Sequence, residues 1–326
     1  MRHLFSFVLK AAISGLLLYF ASTRVNFDLI GQRLDLIKYH WLAAAILIFI
    51  AQTSLCALRW QKIVQRSNAP DGPPFTVGHA LRYMFIATFF NQTLPSTVGG
   101  DAVRIWLLAR DQGGWRTASY SVLIDRISGV LVLALLVIAC LPWSFALIGN
   151  VSGRLALLIV GFGSVGACLT FLTLGFVRWQ WLDRWWLLRE VVSASSVARR
   201  VFGTSSTDLL IAAYSLLIHF MSVTAAWCLA KSVAAPLEWS QALLLVLPVL
   251  LVATIPLSIA GWGTRETAMV IAFGYAGLPE SDGLIVSVLL GIAMFAAGLV
   301  GGVVWILDRG NRRLAAANQV RTKGAP

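Results

Sequence analysis

The sequence predicts an all-α integral membrane protein: six transmembrane helices plus two re-entrant broken hairpins, arranged as an inverted repeat. Three observations carry this expectation. The 326 residues are 58% hydrophobic and only 12% charged, whereas soluble domains carry about a quarter charged residues. Two apolar stretches longer than one crossing are each interrupted near the middle by the same pattern of proline, glycine and arginine. The basic residues gather in alternate connecting segments.

The crossings come first. Uncharged apolar runs of near-spanning length occur at 13–21, 41–58, 127–141, 155–177, 209–230 and 283–307, and a helix needs roughly 20 such residues to cross a bilayer. The first run follows a basic start and Lys10, with no convincing small-residue cleavage site after it. It reads as an uncleaved first span rather than a signal peptide.

Two broken stretches remain, at 79–110 and 241–276. The first contains NQTLPSTVGGDAVR (91–104) and the second TIPLSIAGWGTRE (254–266). At a constant offset of 161 positions, Thr93 meets Thr254, Pro95 meets Pro256, Gly100 meets Gly261 and Arg104 meets Arg265. Thr97/Ser258 and Gly99/Ala260 are conservative matches. A pattern of this kind occurring twice reads as an internal duplication. The chain is then a single membrane domain over 1–310, made of halves of about 1–150 and 151–310, with a basic cytoplasmic tail at 311–326.

Charge orients the halves. The segments 1–10, 59–78, 110–117, 178–207 and 308–326 hold 17 Lys and Arg, while 23–40, 142–154, 231–240 and 276–283 hold 5. Basic loops stay in the cytoplasm, which places both termini there. Both flanks of the first broken stretch are then inside and both flanks of the second outside, so neither stretch crosses. An odd number of crossings per half inverts the repeat, the architecture of secondary transporters that hold substrate between repeats near mid-membrane.

Non-helical backbone at that depth is tolerated only where protein or a wet cavity surrounds it. Pro95 and Pro256 each end a half-helix, and Gly99, Gly100, Gly261 and Gly263 allow tight turns. Free N–H groups at the next half-helix favour an anion, and Arg104 and Arg265 follow within one turn. The candidate substrate-binding set is therefore Arg104, Arg265, Asp101, Glu266, Asn91, Pro95, Gly99, Gly100, Pro256, Ser258, Gly261 and Gly263. A structural reading stands beside it: Asp101 capping the helix that carries Arg104, and Glu266 neutralising Arg265. For the arginines the functional reading is favoured, because an intramembrane charge is costly. Arg82, Asp125 and Arg126 lie near the expected membrane ends, where interface anchoring competes equally.

Other features read as architecture. His219 is alone on an apolar span and reads as a hydrogen-bonded packing residue. The Gly161/Gly163/Gly166 and Gly298/Gly302 clusters read as close helix packing. The segment RWQWLDRWWLLRE (178–190) reads as an interfacial helix on the cytoplasmic leaflet. The four cysteines, Cys56, Cys140, Cys168 and Cys228, lie in apolar runs without a CxxC or a partner histidine. They read as small core residues, and neither metal nor cofactor is expected. The net charge of +12 follows from loop orientation rather than from nucleic acid as a partner.

With N-x-x-L-P-S-x-x-G-G-D-x-x-R and P-x-S-x-A-G-x-G-x-R-E in view, the chain resembles the lysylphosphatidylglycerol synthase transmembrane (flippase-like) family. Leu58-Arg59-Trp60 and Asp125-Arg126-x-x-Gly129 add to the resemblance, which covers roughly 5–310. Ala260 and Trp262 depart from the family pattern of Gly and an aliphatic residue. The resemblance implies relatedness to the lipid-translocating half of bacterial enzymes that modify phosphatidylglycerol. The soluble aminoacyl transferase of the two-domain members has no counterpart here, so a synthase is not expected, and neither is another enzyme. The expected function is translocation, across a bacterial inner membrane, of an amphiphile with an anionic or polar headgroup: a phospholipid, polyprenyl phosphate or hopanoid. The alternative is a non-transporting accessory protein for a lipid-biosynthesis enzyme. A weaker third reading is an intramembrane transferase with Asp101 or Glu266 as base.

Overall fold

A computed structural model describes residues 2–25, 27–67, 74–94, 98–112, 114–175, 186–202, 205–255 and 262–323. Every regular element among them is an α-helix: α1 (Arg2–Thr23), α2 (Phe27–Asp35), α3 (Tyr39–Ser67), α4 (Val77–Thr93), α5 (Gly99–Gln112), α6 (Trp115–Leu147), α7 (Val151–Leu174), α8 (Trp186–Val201), α9 (Ser205–Ser232), α10 (Trp239–Ala253), α11 (Thr264–Tyr275) and α12 (Glu280–Lys323). Five are long and apolar enough to cross a membrane: α3, α6, α7, α9 and α12. They cover five of the six expected spans. The sixth expected span, 13–21, lies within α1, a helix of 22 residues. Large apolar side chains such as Leu47, Leu135, Ile159, Leu217 and Val303 point outward, as helices solvated by lipid require.

The helices fall into two successive sixes of matching order: long, short amphipathic, long, two halves, long. Shifted by the 161 positions of the motif offset, α4 would cover 238–254, against the observed Trp239–Ala253 of α10. The helices α3 and α9, third in each six, form the most extensive helix pair and run antiparallel. Lys38 N–H donates to Ser232 O at 2.8 Å, Gln52 Nε2 to Ser222 Oγ at 3.1 Å, Arg59 Nη1 to Ser215 Oγ at 3.0 Å and Arg66 Nη1 to Asp208 Oδ1 at 3.2 Å. Rising residue numbers on one helix meet falling numbers on the other. Between them Phe49, Val223, Ala226, Leu229, Val246 and Leu290 join one buried apolar core.

The short helices α2 and α8 are each tied to the start of a long one. Arg33 of α2 grips Asp282 at the start of α12 through Nε and Nη2, both at 3.0 Å. Glu190 of α8 accepts from Arg116 at 2.9 Å and from the Tyr120 hydroxyl, both near the start of α6. The Tyr120 hydrogen bond, with help from Arg116 and Arg189, holds the Glu190 carboxyl below its ordinary range. The expected interfacial helix at 178–190 lies mostly outside the described residues; α8 begins at Trp186 and buries Ala194, Ser195, Ala198 and Val201 against the bundle. Small residues on the inward face let it lie flat on its neighbours.

Glycine packing is observed where α12 crosses α4. A Cβ on Gly301 would lie 1.8 Å from Phe85 O, and one on Gly302 would meet the Phe89 ring at 3.0 Å. His219 Nε2 lies 3.0 Å from Gly129 O, the packing role expected of it.

Candidate functional site

The first broken stretch folds back on itself. Near the break Gly100 N–H donates to Asn91 Oδ1 at 2.8 Å; farther back Arg104 Nη1 lies 4.0 Å from Met84 Sδ, and the Tyr83 hydroxyl donates to Asp111. The half-helices α4 and α5, 17 and 14 residues long, are both short of the ~20 residues a crossing needs. Gly100 is required by the approach: a Cβ there would sit 2.0 Å from Ala87 O and 2.6 Å from Asn91 Cγ. Asn91 therefore works as a cap across the break, and the Gly100 amide goes to it rather than to a guest anion. Asp101 does not serve as the cap either; its carboxylate points into a charge cluster.

That cluster joins three helices. Asp125 of α6 accepts from Arg59 Nε of α3 at 2.9 Å and from Arg104 Nη1 of α5 at 2.9 Å. Asp101 pairs with Arg104 Nη2 at 3.0 Å and takes both Nε and Nη2 of Arg126, at 2.8 and 2.9 Å. Arg59 Nη1 is also held by Ser215, and Gly129 leaves room for it, since a Cβ there would stand 3.0 Å away. The Arg104 guanidinium lies over the Trp60 ring, 5.2 Å from its centroid. Arg59, Asp101, Arg104 and Asp125 are all buried.

Three guanidiniums meet two carboxylates, so the cluster carries one uncompensated positive charge. It lines a cavity of about 180 Å³ bounded by α3, α4, α5, α6 and α12, with Gln52, Thr53, Thr88 and Gln92 adding polar groups. Two buried polar atoms on that wall, Arg104 Nε and Gln52 Oε1, find no hydrogen-bond partner among the described residues. A buried polar group without a partner costs about 1–3 kcal/mol, which a polar guest or water would relieve.

The second hairpin is arranged differently. Glu266 is fully buried and takes Gly263 N–H at 2.7 Å, Ser287 Oγ at 3.1 Å, and Arg265 Nη2 at 2.7 Å and Nε at 3.2 Å. Arg265 also lies under Trp262 and places Nη1 3.9 Å from Met294 Sδ. Gly263 turns with φ of +96° against Ser14 O of α1, 2.9 Å from where a Cβ would be. Arg265 and Glu266 form a closed neutral pair that caps its own helix. Met294 lines the cavity on its other side, standing between it and Arg265.

Of the candidate residues, the structure brings Asn91, Asp101 and Arg104 to the cavity wall. Gly99 and Gly100 shape the hairpin behind it; Arg265 and Glu266 form the separate pair, to which Gly263 donates its N–H. Pro95, Pro256, Ser258 and Gly261 lie outside the described residues. The wall also holds Arg59, Gln52 and Met294, which the hairpin motifs do not single out, and Asp125 and Arg126, for which the sequence offers interface anchoring on equal terms. Asp125 instead sits ten residues inside α6, because that 33-residue helix begins well before the uncharged run. A charged residue flanked by a helix-compatible apolar pattern was the available signal.

No curated protein matches the chain. The model of the lysylphosphatidylglycerol synthase TM region matches residues 7–302, and the chain belongs to that family.

Proposed function

We propose that the chain is a lipid translocase whose cavity receives the anionic headgroup of a membrane amphiphile while the tails stay in the bilayer. Family membership ties it to lipid metabolism. The observation that carries the reading is the surplus cation: three guanidiniums share two carboxylates, Arg104 bridging Asp101 and Asp125, on a cavity wall that also holds orphaned polar atoms. A guanidinium remains charged at any working pH and grips phosphate through a planar fork. Chemistry on the headgroup is not part of the proposal, since Asp101, Asp125 and Glu266 are all engaged by guanidiniums and so make poor bases.

The proposal includes six crossings and two re-entrant hairpins in inverted halves, in a bacterial inner membrane with both termini inside. Its support is the antiparallel pairing of α3 with α9 and the sorting of helix ends. Arg82 and Asp111, at the open end of the first hairpin, lie by Asp308 and on the side of the Arg66–Asp208 pair. The Arg33–Asp282 and Lys38–Ser232 contacts mark the opposite side. With the native cysteines replaced, single cysteines at the exposed positions Asn150 and Pro279 are expected to react with an impermeant maleimide from outside. Those at Ser67 and Arg189 should react only after the membrane is opened; labelling of Arg189→Cys in intact cells would overturn the inverted arrangement.

The function is tested by mass spectrometry of lipid retained on purification, together with transfer of tail-labelled phospholipid in reconstituted vesicles. An anionic amphiphile is expected on the wild type and not on Arg104→Ala, with transfer lost in parallel. Retention without transfer would replace the translocase by an accessory, lipid-presenting protein. Neither retention nor transfer would remove the headgroup site.

A further inference from the structure

Arg126 is in an unusual position. It is the one member of the charge cluster that is well exposed, its side chain 52% accessible, while its partner Asp101 is only 7% accessible. It sits eleven residues into α6, about 16 Å from the helix start. Among the described residues, Leu94 and Val98 at the hairpin break and Leu123 one turn back on α6 expose aliphatic side chains. A guanidinium framed by exposed aliphatic groups borders lipid rather than bulk water. Both Arg126 and Asp101 also line the cavity. The pair therefore stands where the polar interior reaches the side of the bundle, between α5 and α6.

We propose that the Arg126–Asp101 ion pair is a latch on a lateral opening, through which a lipid headgroup passes between the bilayer and the cavity. The inference rests on the headgroup reading of that cavity and adds its route of entry. An arriving anion offers Arg126 the same bidentate acceptor that Asp101 does, so one pairing can be exchanged for the other without stranding a charge. Asp101 is not left alone when this happens, because Arg104 holds it at 3.0 Å. The aliphatic frame of Leu94, Val98 and Leu123 lets the tails remain outside as the headgroup moves. Arg126 is open on one side, so the contact is not sealed inside the protein and can be exchanged repeatedly. The neutral pair of Arg265 and Glu266 is built the other way, buried on both sides, and offers no comparable opening.

The test is exchange of retained lipid. Protein purified in nanodiscs of unlabelled phosphatidylglycerol and phosphatidylcholine is mixed with vesicles of the deuterated lipids, and bound lipid is followed by native mass spectrometry. In a chain without native cysteines, Asp101→Cys with Arg126→Cys is bridged by a bifunctional methanethiosulfonate linker. Exchange is expected to fall at least tenfold when bridged and to return on reduction of the same sample. Independently, Arg126→Gln should raise the exchange rate per bound lipid by at least tenfold, since the latch is gone. Equal exchange in bridged and reduced protein would overturn the lateral route. So would an Arg126→Gln protein that binds no lipid, which would make Arg126 a holder of the headgroup instead of a latch. Wild-type protein that retains no lipid at all would remove the headgroup reading itself, a different failure from either of these.

Discussion

Replacing Asp125 by alanine is expected to cost the fold about 3–5 kcal/mol, the scale for removing one partner of a buried ion pair. Asp125 is 3% exposed and receives two guanidiniums, Arg59 at 2.9 Å and Arg104 at 2.9 Å. Without it Arg59 keeps only Ser215, and the cluster's single surplus charge becomes a surplus of two. Because Arg59 is on α3, Arg104 on α5 and Asp125 on α6, the loss loosens the hairpin from the spans that hold it. The measurement is thermal unfolding in detergent by intrinsic fluorescence, supported by the monodisperse yield. Asp125→Ala combined with Arg59→Leu should recover part of the loss, since the double change removes the stranded charge. A melting temperature unchanged by Asp125→Ala would mean that the cluster does not hold the helices together.

Arg104 and Arg265 are expected to separate cleanly, although they occupy equivalent places in the two motifs. Removing Arg104 leaves Asp101 with Arg126 and Asp125 with Arg59, so neither carboxylate is stranded. The Arg104→Ala protein gives up its bonds to Asp101 and Asp125 and its stacking on Trp60 but strands no charge, and should therefore lose no more than about 2 kcal/mol, while lipid retention and transfer disappear. Removing Arg265 leaves Glu266, fully buried, with no cation, and the expected loss is again about 3–5 kcal/mol. Arg265→Ala with Glu266→Gln should fold better than Arg265→Ala alone, because the neutral amide still accepts from Gly263 N–H. The comparison needs stability and lipid retention measured on the same preparations. If Arg104→Ala unfolds while Arg265→Ala does not, the assignment of one arginine to the ligand and the other to architecture is reversed. If Arg104→Ala with Asp101→Ala restores transfer, Arg104 was a fastener.

The membrane class, the helical content and the duplicated order of helices were legible in the chain itself. Each depends on local quantities: the length of an apolar run, the position of a proline or glycine, and a motif repeated at a fixed offset. Arg104 and Arg265 were visible as matched charges, but their different circumstances were not. Glu266 is the next residue to Arg265 and closes on it locally, whereas Arg104 reaches Asp125, 21 positions away, and shares it with Arg59, a further 66 positions from that carboxylate. Arg59 in turn meets Ser215 across 156 positions. Which carboxylate a guanidinium finds is set by how helices cross, and periodicity says nothing about that. Sequence alone therefore determined a helical membrane protein with a recurring motif and an arginine at each break. Only the tertiary structure decided that one arginine is spent on its neighbour and the other bridges two carboxylates in a cluster with one cation in excess, beside a cavity, because charge balance in a buried cluster is a property of all the helices that meet there.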